Sequence, residues 1–363
     1  MPKADTIQPI SFGKYAYISQ QEFDLTTLSL EVSDDNLVLV FPTGDKRPIT
    51  EKGFQSLCQL IQVPLSFAKR LKEDGNTHVL QYLQKQMSAA YLRELAIVVC
   101  DTTNNHVLSV TSNDKLLPSF HAVVEMDKDI LKAAETFAKA NLTARFEDDA
   151  YLRYGFMTKR SKPLADDSEY EFGHVFAYSL YGYEQPHFYQ VAVRLEDMSV
   201  LVLPFKPEYL STTSTSFFGD LISKVETLGT EGWSDLEGFL ARMKAVRASL
   251  REVKETRQRL IKTLKVDKED TETEQRMEEF FGWKTLVQKY EIRSLDPKPS
   301  KRWFMSAPSH LNLLDVYKKL VCETTHAPNT LEADKRLRLQ KYATKMLGKQ
   351  PDMAEKEPPK GVV

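Results

Sequence analysis

The residues best able to act on a partner lie in KPSKRWF, Lys298 to Phe304. Lys298, Lys301 and Arg302 place three cations within five residues, which suits neighbouring phosphates. Trp303 and Phe304 add ring faces on which unstacked bases can stack. The same stretch also suits a loop whose Trp303 anchors it on nearby helices, and both readings stay open. Farther on, KRLRLQK (Lys335 to Lys341) adds Lys335, Arg336 and Arg338 as supporting phosphate contacts on an amphipathic helix, with Leu337 and Leu339 facing inward. Tyr181 and Tyr183 are further stacking candidates.

Reactive chemistry has no comparable foothold. A phosphate-binding glycine loop, a dinucleotide fingerprint and a serine-hydrolase elbow are all missing from the sequence. The seven histidines are dispersed, without the paired spacing of a metal site. The pairs Asp34-Asp35, Asp148-Asp149 and Asp166-Asp167 fall where turns are expected, although a metal-dependent nuclease could use such carboxylates. Cys58, Cys100 and Cys322 are scattered, which argues for a reducing compartment and against a disulfide framework. The expectation is a protein with no catalytic residue, no metal and no cofactor.

The elements that must position the cations follow from patterning. TTLSLEVS and NLVLVFP flank Asp34-Asp35 as a hairpin, and LAIVVCD and HVLSVTS flank TTNN as another. ITEKGFQSLCQLIQ places Phe54, Leu57, Cys58 and Ile61 at helical spacing behind a Thr50 cap. DKDILKAAETFAKAN reads as a helix opened by Asp127 or Asp129. In EFGHVFAYSL, Phe172, His174, Phe176, Tyr178 and Leu180 alternate with smaller residues, and SVLVLPF is apolar on both faces. These rings either fill a core or form an exposed stacking platform. YEFGHVFAYS is not an RNA-recognition strand, because Glu171 stands where that motif needs a cation and Ala177 where it needs a ring.

Beyond Trp233 the pattern turns helical. Phe239, Met243, Val246, Leu250, Val253, Arg257, Leu260 and Leu264 recur at steps of four and three, which predicts a coiled-coil or helical-hairpin seam over 239–264. KEDTETEQ reads as a charged turn, EEFFGWKTLVQKYEI as a helix, and Ser309 as the cap of HLNLLDVYKKLVCETT. The expected architecture is α+β: a mixed, mainly antiparallel sheet with flanking helices, then a helical or coiled-coil C-terminal part. Its expected division is an α+β domain over 1–228, a helical region over 233–349 and a disordered tail over 350–363.

Charge sorts along the same division. Residues 241–363 hold 27 Lys/Arg and 18 Asp/Glu, a net of +9, against 22 and 33, a net of −11, in 1–240. A positive back end can attract a polyanion or the negative front of another copy. No apolar run is long enough to span a bilayer, and the first dozen residues lack a secretory core.

Three stretches together resemble a phage- and plasmid-encoded family known as domain of unknown function 932. They are ITEKGFQSLCQLIQVPLSFAKRL, FGHVFAYSLYGYEQPHFYQVAVRLEDMSVLVLP and NLLDVYKKLVCETTHAPNTLEADKRLRLQKYATKML, in the family's order. Tyr178-Ser179 stands where that family has Asn-Ser, and SVLVLPF lacks its Cys-x-Asn-Gly, so no functional position is carried over. The resemblance implies a mobile-element origin and a host-cytoplasmic setting. The resulting expectation is a non-enzymatic protein that binds single-stranded DNA or RNA in replication or recombination, as a homo-oligomer and away from membranes. The alternatives are a self-assembling structural or host-interaction protein and, third, a metal-dependent nuclease.

Overall fold

A computed structural model describes residues 9–33, 36–74, 77–89, 95–136, 141–147, 150–227, 233–265, 270–289, 311–327 and 333–353. The first half carries β1 (Ile18–Asp24), β2 (Ser29–Ser33), β3 (Asn36–Val40), β4 (Lys46–Pro48), α1 (Glu51–Leu60), α2 (Leu65–Asp74), α3 (Thr77–Met87), β5 (Leu95–Asp101), β6 (His106–Ser112) and α4 (Phe120–Thr136). Strands β7 (Asn141–Glu147), β8 (Tyr151–Pro163), β9 (Glu169–Ser179), β10 (His187–Arg194), β11 (Ser199–Val202) and β12 (Glu208–Tyr209) follow. Helices close the chain: α5 (Phe217–Thr227), α6 (Trp233–Ala245), α7 (Leu250–Leu264), α8 (Thr271–Phe281), α9 (Trp283–Lys289), α10 (Leu313–Thr325) and α11 (Ala333–Gly348).

The fold is α+β. Strand orders are β1-β5-β6, β2-β3-β4 and β11-β10-β9-β8-β7, with β12 beside β10. Both predicted hairpins form antiparallel pairs, Ser33 opposite Asn36 and Asp101 opposite His106. The second is closed by the Asp101 carboxylate, which accepts the backbone N–H groups of Thr103 and Asn104 at 2.8 and 3.0 Å. Asp34-Asp35 and Asp148-Asp149 lie outside the described residues.

One compact unit comprises Met1–Phe156, Val175–Phe188 and Pro207–Leu228. In it α1 starts at the predicted cap: Thr50 Oγ1 accepts the Gly53 N–H at 3.0 Å, and Phe54, Leu57 and Cys58 turn inward. Ser56 fixes the helix on β6 by accepting the Val110 N–H at 2.9 Å. A Cβ added at Gly53 would meet the Val107 carbonyl oxygen at 2.8 Å. Alanine is worth about 1 kcal/mol over glycine inside a helix, yet overpacking against backbone costs about 1–3 kcal/mol. Gly53→Ala is therefore expected to lower the urea midpoint, and an unchanged or raised midpoint would show that α1 can slide on β6.

One expectation in this unit is corrected, and burial decides between the alternatives left open for the aromatic strand. Helix α4 begins at Phe120, with Ser119 Oγ accepting the Ala122 N–H at 3.2 Å. Asp127 is a buried mid-helix residue, not a cap; it accepts the Ile10 N–H at 2.8 Å and the Tyr154 hydroxyl at 2.7 Å. The aromatic strand is core on both sides: Phe176, Tyr178 and Leu180 are buried, and so are Ala177, Ser179 and Tyr181. The Tyr178 hydroxyl accepts the Leu117 N–H at 3.0 Å.

The other unit comprises Met157–His174, Tyr189–Lys206 and Gly229–Val363, so the helices group with two stretches that precede residue 228. Its core joins Tyr170, Phe172, Ala192, Leu201 and Leu203 to the inner faces of α6, α7, α8, α10 and α11. The predicted seam is not one helix. Between Ala245 and Leu250 the chain leaves helical geometry, the Val246 carbonyl accepts the Leu313 N–H at 3.1 Å and the Ala248 N–H donates to the Leu311 carbonyl at 3.2 Å. Ser249 then opens α7 with a capping box: its Oγ accepts the Glu252 N–H, and Glu252 accepts the Ser249 N–H. Leu240, Met243, Leu250, Val253, Leu260 and Leu264 are buried within this unit. Two neighbouring boundaries also move. Asp270 caps α8, so TETEQ is helical rather than a turn, and Asn312, not Ser309, caps α10 with its Oδ1 at 2.7 Å from the Asp315 N–H. Ser309 is outside the described residues.

Candidate nucleic-acid interface

From Lys335 to Gln350 the chain has six Lys/Arg and no acidic residue. Folding that run as α11 buries Leu339, Ala343, Met346 and Leu347. Arg338, Lys341 and Lys345 are exposed, as is Lys349 just past the helix end. Offsets of three and seven residues put Arg338, Lys341 and Lys345 on one stripe of the helix, about 10 Å long at 1.5 Å per residue, and Lys349 follows just past its end.

Helix α7 runs beside α11 in the opposite direction. Near its middle, Thr256 and Tyr342 hydroxyls meet at 3.3 Å and the Arg259 guanidinium lies 4.3 Å from the centre of the Tyr342 ring. At its start, Arg251 reaches Asp352, beyond the end of α11. The exposed Arg259 and Lys262 thus extend the positive stripe sideways, with Glu255 as the carboxylate among them.

Several cations elsewhere in the unit are engaged by acids. Lys265 pairs with Glu274 at 2.9 Å, Arg257 with Glu278 at 3.4 Å, Lys319 with Glu323 at 2.8 Å and Arg276 with Glu323 at 3.0 Å. Lys162 pairs with Glu237 at 3.0 Å and Lys244 with Asp167 at 2.9 Å. By contrast, Arg338 and Lys345 enter no ion pair among the described residues.

The sequence-based candidates fare differently. Lys298, Lys301, Arg302 and Trp303 lie outside the described residues. Lys335 and Arg336 are half-buried, and Arg336 donates to the Ala327 carbonyl at 3.0 Å, so its guanidinium has a structural partner. Arg338 faces solvent. Tyr181 is corrected as a stacking residue, since it is 7% exposed and edge-on to Tyr183, whereas Tyr183 is half-buried. The Tyr183 hydroxyl is spent on the Leu108 carbonyl at 3.0 Å. Lys341, Lys345 and Lys349 were not singled out. The acid-free run containing them was visible, but their common exposed face depends on which side of α11 meets α7.

The richest cluster of ionisable groups is structural in character. Asp166 has a fully buried side chain that takes Lys318 Nζ at 2.7 Å and the Tyr170 hydroxyl at 2.8 Å. Burial alone would raise its pKa, but the ammonium and hydroxyl hold it below the usual carboxylate range. Asp197 is likewise held well below that range by Arg194 and the Ser199 N–H, against its burial. Burial raises the Tyr170 and Tyr317 phenols, and it pushes the Cys58 thiol up to about 12, so none is poised as a nucleophile. Among the described residues no three His, Cys, Asp or Glu side chains gather as metal ligands, and no helix is long and apolar enough to cross a membrane.

No protein-family model, curated protein or solved structure matches this chain. The resemblance to family 932 therefore rests on the three stretches quoted above.

Proposed function

We propose that the protein binds single-stranded nucleic acid without catalysing a reaction, through the exposed cationic stripe of α11 and the flanking α7. The observation that carries this reading is the concentration of exposed cations on α11. Arg338, Lys341 and Lys345 face solvent within eight residues on a run of chain with no acid, and Arg338 and Lys345 enter no ion pair among the described residues. Such a row neutralises successive phosphates and releases their counterions. Lys298, Lys301, Arg302 and Trp303 complete the proposal as a basic and aromatic segment for further phosphates and bases. A role in replication or recombination of a mobile element, in a host cytoplasm, goes with the resemblance to family 932.

Fluorescence anisotropy with a labelled oligothymidylate at several salt concentrations tests this reading. Contact by four cations predicts a log–log slope of about −3, from about −0.7 per phosphate. Binding that is absent, or indifferent to salt, overturns it. Burial of Met243, Leu250, Val253, Leu260 and Leu264 inside their own unit, with Phe239 and Val246 partly buried beside them, weighs against the self-assembly alternative.

A further inference from the structure

The positive stripe ends against a carboxylate of its own chain. Asp352 lies just beyond α11, and its side chain is 5% exposed. Its carboxylate accepts Ser249 Oγ at 2.8 Å, Arg251 Nε at 2.9 Å with a second bond from the same guanidinium, and Lys349 Nζ at 3.2 Å. The Asp352 N–H donates to Glu252 at 3.1 Å, which docks the backbone as well. Burial would raise the Asp352 pKa, but Arg251, Ser249 and Lys349 hold it below the usual range. Glu252 beside it is pushed up, by burial first and by the Asp352 charge as well.

A forked guanidinium, an ammonium, a hydroxyl and the first turn of the 15-residue α7 make a ready receptor for one oxyanion. It lies in line with Arg338, Lys341 and Lys345, where the next phosphate of a bound strand would arrive. We infer that Asp352 is an internal competitor for this receptor: a nucleic-acid phosphate displaces it and takes over Arg251 and Lys349. The inference rests on the reading of α11 as a nucleic-acid surface. Its consequence is regulation, because affinity is set by exchange of one anion for another and not by an open site.

Asp352→Asn removes the competitor's charge while keeping its shape. Anisotropy with the same oligothymidylate should show about fivefold tighter binding than wild type, because the phosphate no longer has to displace a charged competitor from Arg251 and Lys349. In wild type, saturating oligonucleotide should speed cleavage of the Pro351–Asp352 bond by a protease that cuts before aspartate, a readout that does not depend on the variant folding. If wild type binds and both the variant's affinity and the cleavage rate stay unchanged, the competitor role is wrong and the α11 reading survives. If neither wild type nor variant binds, the α11 reading itself falls.

Discussion

Replacing Lys318 by methionine should cost about 3 kcal/mol, one of the largest losses from any single polar substitution in this protein. Methionine keeps most of the apolar stem, so the loss reports the ammonium. Asp166 would be left with a fully buried carboxylate that retains only the Tyr170 hydroxyl and the Ser168 N–H, the latter at 3.3 Å. Lys318 is itself a quarter exposed, which places the effect at the lower end of the range for breaking buried pairs. Adding Asp166→Asn to that variant should recover most of the loss, because no charge is then stranded. Urea midpoints of wild type, both single variants and the double variant form the cycle. A Lys318→Met loss below about 1 kcal/mol would mean that water already reaches Asp166.

The second large effect concerns binding. Changing Arg338, Lys341 and Lys345 together to glutamine should weaken oligothymidylate binding about a hundredfold and flatten the salt slope by about two. Unfolding should hardly change, since all three side chains are exposed. Neutralising Lys265 and Arg276 provides the contrast. Both lie on the same unit but pair with Glu274 and Glu323, so their loss should leave affinity within about twofold. Equal losses in the two variants would mean that net charge, not the α11 stripe, governs binding.

How far the sequence disclosed this molecule depended on the range of each interaction. Hairpins β2–β3 and β5–β6 were legible because alternation and turn residues are local signals. The Thr50 cap was legible for the same reason. Helix α7 was misjudged because a heptad count ran across Ser249, although Ser249-Leu-Arg-Glu252 is itself a capping signature. The break there is stabilised by backbone pairing with Leu311 and Leu313, which periodicity cannot reveal. Asp127 was mistaken for a cap because its partners, Ile10 and Tyr154, are distant along the chain. Arg338 could be named from composition. The clasp of Asp352 on Arg251 could not, since those residues are 101 positions apart and meet only through the antiparallel register of two helices.

The assembly of one core from Met157–His174, Tyr189–Lys206 and Gly229–Val363 has a consequence for synthesis. Leu201 and Leu203 emerge from the ribosome more than a hundred residues before Met346 and Leu347, with which they share that core. Until α11 has left the exit tunnel, these strands lack their apolar cover and sit among the segments most open to a chaperone or to a neighbouring nascent chain.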